Sequence, residues 1–191
     1  MDIYEILKQT ESLLEGHFEL SSGLHSDRYC QCAKLLQYPW HSEAAGREIA
    51  KMFNPDDIDL VLGPALGGVI ISYEVARALG KPSIFTERKD GYMELRRGFK
   101  IEEGTRILIV EDVITTAKSV KENMKILEEH NASIVGVACI VDRSQGYSGL
   151  DIKSLIQMDP SVYNPDDCPL CREGLPLEKP GSKAKVTRYI I

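Results

Sequence analysis

The chain predicts an α/β fold, a mostly parallel sheet flanked by helices, with a small N-terminal hood and an exposed flap hairpin. Three observations carry that expectation. The runs Arg106 to Val110 (RILIV) and Ser133 to Val141 (SIVGVACIV) lack polar alternation, as strands buried on both faces do. Helical stripes alternate with such strands along the middle of the chain, the pattern of parallel sheets with right-handed crossovers. Loops rich in glycine or hydroxyls follow two of the strands, at the edge where open α/β sheets collect ligands.

Taken in order, residues 2–15 put Ile3, Ile6, Leu7, Thr10, Leu13 and Leu14 on one helical stripe, which Gly16 can end. An irregular segment from His17 to Pro39 follows, then a helix from about Ser42 to Phe53, stopped by Asn54-Pro55. Ile58 to Leu62 is a short strand, residues 69–79 a helix capped by Gly80, and Ser83 to Thr86 a second strand. Residues 91–99 (GYMELRRGF) alternate weakly around central charges and read as the flap. A helix over about residues 118–129 separates the two long apolar strands. Four prolines and two glycines between Tyr163 and Lys183 make the tail a strap, with a last short strand near Val186 to Ile190. The division expected is 1–40 for the N-terminal helix and hood, 41–160 for the core, and 161–191 for the strap and last strand.

Bulk properties narrow the function. The 191 residues suit one α/β domain with appendages, and 43% hydrophobic content is enough for a buried core. A net charge of -6 argues against a nucleic-acid partner, although a local basic site for small anions is compatible with it. No stretch has the length of a membrane span, and the acidic start Met1-Asp2-Ile3-Tyr4-Glu5 lacks the pattern of a secretory signal. A cytoplasmic location is therefore expected, where five cysteines would not build a disulfide framework.

The chemistry is concentrated in Arg106 to Ser119, RILIVEDVITTAKS. A buried strand ends in Glu111-Asp112, and Val113, Ile114, Thr115, Thr116, Ala117, Lys118 and Ser119 turn into a helix. The turn offers hydroxyls, backbone N–H groups and a helix dipole to a phosphate. Acids beside a phosphate need sugar hydroxyls to accept from. The bland reading is a strand whose acids only cap the next helix. This order of strand, acid pair and threonine-rich turn resembles the signature of the type I phosphoribosyltransferases.

The resemblance implies roles for these residues. Glu111 and Asp112 would meet the ribose 2- and 3-hydroxyls of phosphoribosyl diphosphate, and Thr115 to Ser119 would hold its 5-phosphate. Family members usually have glycine where Ala117 stands. Leu66 and Gly67, in the loop Gly63-Pro64-Ala65-Leu66-Gly67-Gly68, occupy the family's pyrophosphate position, where a cis peptide is common. Arg88 and Lys89 follow the second core strand as in the family, where the pair reaches pyrophosphate. Arg96, Arg97 and Lys100 of the flap bring the basic residues between 88 and 100 to five, against Asp90 and Glu94.

The base is set by other segments. Phe18 to Tyr29 (FELSSGLHSDRY) resembles the N-terminal segment of orotate phosphoribosyltransferases. Ser22, Gly23 and Thr115 would touch orotate, and Arg143, after Val141-Asp142, would grip it. A guanidinium fork suits orotate's carboxylate and neighbouring carbonyl. Many members have lysine where Ser21 stands, and Arg28 is the candidate substitute. The resemblance spans residues 16–150, and some members end in a similar CPLC segment. It implies Mg²⁺, carried mainly by substrate oxygens, and a homodimer in which the flap covers the neighbouring active site. The rivals are transfer to a purine or other base, and a non-catalytic sensor of the same sugar diphosphate.

Cys168-Pro169-Leu170-Cys171 has the spacing of half a zinc site, with Cys30 and Cys32 as the pair that could complete it. Free thiols are the default expectation. Cys139 reads as core. His17, His25, His41 and His130 share no spacing and read as surface or loop residues.

Overall fold

A computed structural model of the chain describes residues 2–20, 22–159 and 161–180. The N-terminal helix α1 (Ile3–Gln9) is capped by Asp2, whose carboxylate accepts from the N–H groups of Tyr4 and Glu5. It is shorter than the stripe implied. Thr10 Oγ1 donates to the Ile6 carbonyl at 2.7 Å, and Glu11 takes a left-handed φ of 52°. The chain then enters strand β1 (Leu13–Glu19). Leu13 and Leu14 satisfy a helical stripe and a strand equally well, and local hydroxyl bonding settled the competition. Gly16, expected to end the helix, sits inside β1 with the Phe18 ring 3.1 Å from where its Cβ would be.

The segment read as irregular contains β2 (His25–Cys30) and the single turn α2 (Ala33–Leu36). β1 and β2 form an antiparallel hairpin with an irregularity between Glu15 and Phe18, and β9 (Val162–Tyr163) pairs with β2 to complete a three-stranded sheet. α3 (Pro39–Ala50) begins at Pro39, three residues before Ser42, because the fixed φ of proline suits a first helical position.

The main sheet has six strands in the order β5-β4-β3-β6-β7-β8. These are β3 (Leu60–Pro64), β4 (Ser83–Lys89), β5 (Tyr92–Leu95), β6 (Arg106–Ile114), β7 (Ser133–Asp142) and β8 (Ile152–Gln157). All neighbours pair in parallel except β5, which turns back on β4 as the expected hairpin at one edge. α4 (Gly68–Leu79) follows β3 and ends at Gly80 with φ 68°; α5 (Lys118–Glu129) follows β6. α6 (Pro169–Arg172) is one turn in the strap. The last strand expected near Val186 to Ile190 lies outside the described residues.

Burial on both faces explains the unbroken apolar runs. Leu108 and Val110 of β6 join the core formed with α1, α3 and α4, while Ile107 and Ile109 join the core beneath α5. Across the second core, Thr86 Oγ1 donates to Asn123 Oδ1 at 2.7 Å, tying β4 to α5 by a fully buried polar pair. β8 went unread in the sequence because its residues (IKSLIQ) are half-exposed at the opposite edge and carry no apolar run.

Candidate active site

β3 and β6 are neighbours at the centre of the sheet, yet the chain leaves β3 toward β4 on one side and leaves β6 toward β7 on the other. That is a topological switch point, and a crevice opens outside the strand ends there. The two loops singled out in the sequence are the ones that follow these strands. The first has a cis peptide between Ala65 and Leu66, with Leu66 exposed. Its glycines are required for space, not for φ. A Cβ on Gly67 would stand 2.4 Å from Asp112 Oδ1, and one on Gly68 would stand 2.9 Å from Glu111 Oε1. The loop therefore packs directly on the acid pair.

The acids do not follow β6, as the sequence suggested, but lie within it. β6 continues to Ile114, and Glu111 pairs with Cys139 of β7. The ladder buries Glu111, which is 8% exposed, and leaves Asp112 half-buried. Burial and the neighbouring Asp112 charge push the Glu111 carboxyl up to about 9; burial also raises Asp112. Asp112 Oδ1 accepts from the Val113 N–H at 2.8 Å, which offsets part of that cost. Among the described residues neither acid forms an ion pair with a cationic side chain.

This arrangement has a consequence for stability. Between pH 4.5, the ordinary value, and about 9, the folded protein keeps a proton on Glu111 that the unfolded chain has released. The unfolded state binds fewer protons, so stability falls as pH rises through that window, by up to roughly 1 kcal/mol per pH unit. Glu111→Gln is expected to flatten this slope and to stabilise the ligand-free protein most at the alkaline end. Urea unfolding at several pH values checks it; an unchanged slope would show that Glu111 is ionised in the fold.

Beyond the acids the chain turns sharply. Thr115 and Thr116 are exposed, and Ala117 takes φ 57° ahead of α5 without a side-chain cap on that helix. The first N–H groups of α5 are thus open to a ligand. A cavity of about 180 Å³ is lined by Glu111, Val113 and the whole turn from Ile114 to Val120. This left-handed φ suits glycine, and alanine holds it at a cost of about 1–2 kcal/mol. A larger concavity of about 580 Å³ lies between α3 and α4. Size favours it, but its Arg77 is already bound to Glu74 at 2.6 Å and no strand-end loop reaches it, so the chemistry favours the smaller one.

The cations of the flap region have internal partners. Arg88 forks onto Glu122 of α5, and Arg96 and Arg97 meet Glu87 at 2.6 and 2.9 Å. The sequence count of Asp90 and Glu94 thus missed the acids that matter, since Glu122 lies 34 residues away and Glu87 precedes the counted window. These pairs are exposed and weak, worth about 0–1 kcal/mol, so a polyphosphate can displace them. Lys89, Lys100 and Lys118 form no ion pair among the described residues.

Arg143 follows β7, and its N–H donates to the Ile114 carbonyl at 2.7 Å, which fixes it beside the phosphate turn. Its Nε is buried without a hydrogen-bond partner, the sole such side-chain atom among the described residues. The guanidinium also faces β2. Tyr29 is raised by burial and Cys30 is lowered by its hydrogen bond with Cys32, and the Arg143 charge pulls both downward. The arginine therefore lies close enough to β2 for its charge to act on both side chains. Ser22, exposed, and Gly23, half-buried with φ 83°, lie in the turn between β1 and β2; Ser21 lies outside the described residues, and Arg28 is half-buried on β2.

Residues 40–169 match the family model described as a phosphoribosyl transferase domain. Solved structures share the fold without deciding the base. An orotate phosphoribosyltransferase from Aeropyrum pernix superposes with a TM-score of 0.65 at 24% identity, covering 81% of this chain and 93% of that one. An adenine phosphoribosyltransferase from Thermoanaerobacter pseudethanolicus gives 0.60 at 18% identity, covering 69% and 88%. The full-length sequence is more discriminating. It is 56% identical over 181 residues to the orotate phosphoribosyltransferase of Caldicellulosiruptor saccharolyticus, covering 94% of this chain and 95% of that one. The chain belongs to the orotate phosphoribosyltransferases. In this member of the family Glu111 and the turn from Ile114 to Val120 line one crevice, the glycine loop packs on the acid pair, and Arg143 is bonded to the Ile114 carbonyl. Among the described residues no helix is long and apolar enough to cross a membrane.

Two expectations about cysteine and histidine are corrected. His17 and His25 are not surface residues: both are buried, and their ring nitrogens stand 2.9 Å apart beside Cys168 and Cys171. Cys30 and Cys32 do not join that group; their sulfurs face each other at 3.8 Å, with Cys32 Sγ directed at the Asp112 carbonyl. The pairing was hidden because the hairpin bulge, not sequence spacing, turns His17 toward His25.

Proposed function

We propose that this chain transfers the 5-phosphoribosyl group from phosphoribosyl diphosphate to orotate, giving orotidine 5-phosphate and pyrophosphate, and that Arg143 selects the base. The observation that carries the reading is the buried, unpartnered Nε of Arg143, whose backbone N–H is held on the Ile114 carbonyl at the start of the phosphate turn. A buried donor without an acceptor costs about 1–3 kcal/mol, and a planar carboxylate removes that cost. Orotate supplies a carboxylate there; adenine, hypoxanthine and uracil do not. Ser22, Gly23 and Thr115 complete the base pocket in this reading.

A ring nitrogen of orotate attacks the anomeric carbon and gives up its proton to solvent as the carbon–oxygen bond to pyrophosphate breaks, and the bonding pair leaves on the pyrophosphate oxygen. Glu111 and Asp112 accept from the ribose hydroxyls, orienting the ring and favouring positive charge at the anomeric carbon. The N–H groups and hydroxyls of residues 115–119 hold the 5-phosphate. Leu66 and Gly67 sit beside the pyrophosphate. Arg88, Lys89, Arg96, Arg97 and Lys100 neutralise it by exchanging their internal acids for its oxygens. Two adjacent acids without a cationic partner suit a divalent cation brought in on substrate oxygens, and Mg²⁺ would supply charge neutralisation there when bound. The reading includes a cytoplasmic homodimer with the flap over the partner's crevice, which shields the activated sugar from water.

The test is ultraviolet absorbance with Mg²⁺ and phosphoribosyl diphosphate, offering orotate, uracil, adenine and hypoxanthine separately. Consumption of orotate alone is expected. Consumption of a purine with orotate untouched would overturn the reading, as would binding of the sugar diphosphate without turnover of any base.

A further inference from the structure

The buried cluster under the hood has no part in the transfer chemistry. His17 on β1, His25 on β2, and Cys168 and Cys171 at α6 place four ligand atoms within 4.8 Å of one another. His17 Nε2 lies 2.9 Å from His25 Nδ1 and 3.6 Å from each of the two sulfurs; Cys171 Sγ lies 3.3 Å from His25 Nδ1. Bond lengths of about 2.0 Å to nitrogen and 2.3 Å to sulfur give a tetrahedron with edges of about 3.3 Å between nitrogens and 3.6 Å between nitrogen and sulfur. The His–His separation and the three His–Cys separations above lie within about 0.4 Å of those edges.

Hydrogen bonding alone explains it poorly. His17 Nδ1 is 2.9 Å from the Leu175 carbonyl, which can only accept, so the proton of this imidazole sits on Nδ1. Nε2 then carries one lone pair, and a ring nitrogen and two sulfurs all converge on it. One lone pair takes one hydrogen bond, so at most one of these three neighbours can donate to it, whereas a cation at their centre draws on all four ligands. A backbone carbonyl fixing the ring from behind is the usual support of a metal-bound histidine. Three of the four residues are buried, and only Cys171 reaches the surface.

We propose that His17, His25, Cys168 and Cys171 bind one structural Zn²⁺. Two imidazoles and two thiolates in a closed tetrahedron, with cysteines two residues apart, suit zinc, and no position is left for a substrate. Each thiol loses its proton to solvent as its sulfur binds. The ion would clip the strap to the hood. It adds to a seam in which the Glu178 N–H donates to the His17 carbonyl and the Glu19 N–H to the Glu178 carbonyl, both at 2.8 Å. The strap has few buried apolar side chains of its own, so the clip would supply much of its attachment.

Elemental analysis of the full chain, purified without chelator, is expected to find about one zinc per chain. Cobalt substitution is expected to give visible bands of tetrahedral geometry and a near-ultraviolet thiolate charge-transfer band. Cys168→Ser with Cys171→Ser should remove the metal, and Cys30→Ser should keep it. Chelation should speed proteolysis within the strap while the core survives. If the double variant fails to fold, the cobalt spectrum of the unaltered protein still decides. Absence of stoichiometric metal after dialysis against zinc, a cobalt spectrum without thiolate bands, or metal kept by the double variant would overturn the proposal. A chain two hydrogen masses lighter, with Cys168 and Cys171 joined as a disulfide and no metal, would do the same.

Discussion

Arg143→Ala is expected to raise the orotate concentration for half-maximal rate by roughly ten- to a hundredfold, with the requirement for phosphoribosyl diphosphate little changed. A charge-assisted hydrogen bond contributes about 1.5–3 kcal/mol, and each 1.4 kcal/mol is a factor of ten. The fold should survive, because the guanidinium Nε has no protein partner to lose. Arg143→Lys is expected to recover little of the loss, since a point charge cannot reproduce a planar fork. Separate titration of the two substrates in steady-state assays checks the split. Equal losses for both would place Arg143 on the phosphate side of the crevice instead.

The placement of Arg143 was legible in the sequence only in part. The position of Arg143 follows from a strand ending at Asp142, which the apolar run announced. Its unsatisfied donor does not, because β2, which lies close to it, fell in a segment that read as irregular. The hairpin was hidden for a physical reason. Its strands pair mostly with each other and with the two-residue β9, so they show neither an apolar run nor clean alternation. The central sheet was the opposite case: β6 and β7 are buried on both faces, and the helix expected over about residues 118–129 is α5.

The acid pair was legible in identity and misplaced in structure. A strand followed by two acids looked like a strand that stops, since buried ladders rarely hold carboxylates. The ladder in fact runs on through Glu111 to Ile114, and the fold bears the cost of burying them. The His–Cys cluster was illegible for another reason. Its four members are separated by up to 154 residues, and a hairpin bulge creates the geometry. Sequence spacing exposed only the Cys168–Cys171 half.

Burial of the acids leads to the second large effect. Asp112→Asn is expected to lower kcat/KM for phosphoribosyl diphosphate by about 30- to 1000-fold, with the orotate requirement little altered. The carboxylate accepts from sugar hydroxyls in a site shielded from water, so the amide loses about 2–4 kcal/mol of charge-assisted bonding and of support for the positive anomeric carbon. The folded protein should not suffer. Burial raises the Asp112 carboxyl, and a neutral amide of the same shape removes that buried charge, so the variant should be at least as stable as the parent. Loss of substrate use together with unchanged or increased stability separates this role from a structural one. A variant that unfolds more readily and loses activity in proportion would make Asp112 a framework residue, and the crevice would need another partner for the ribose.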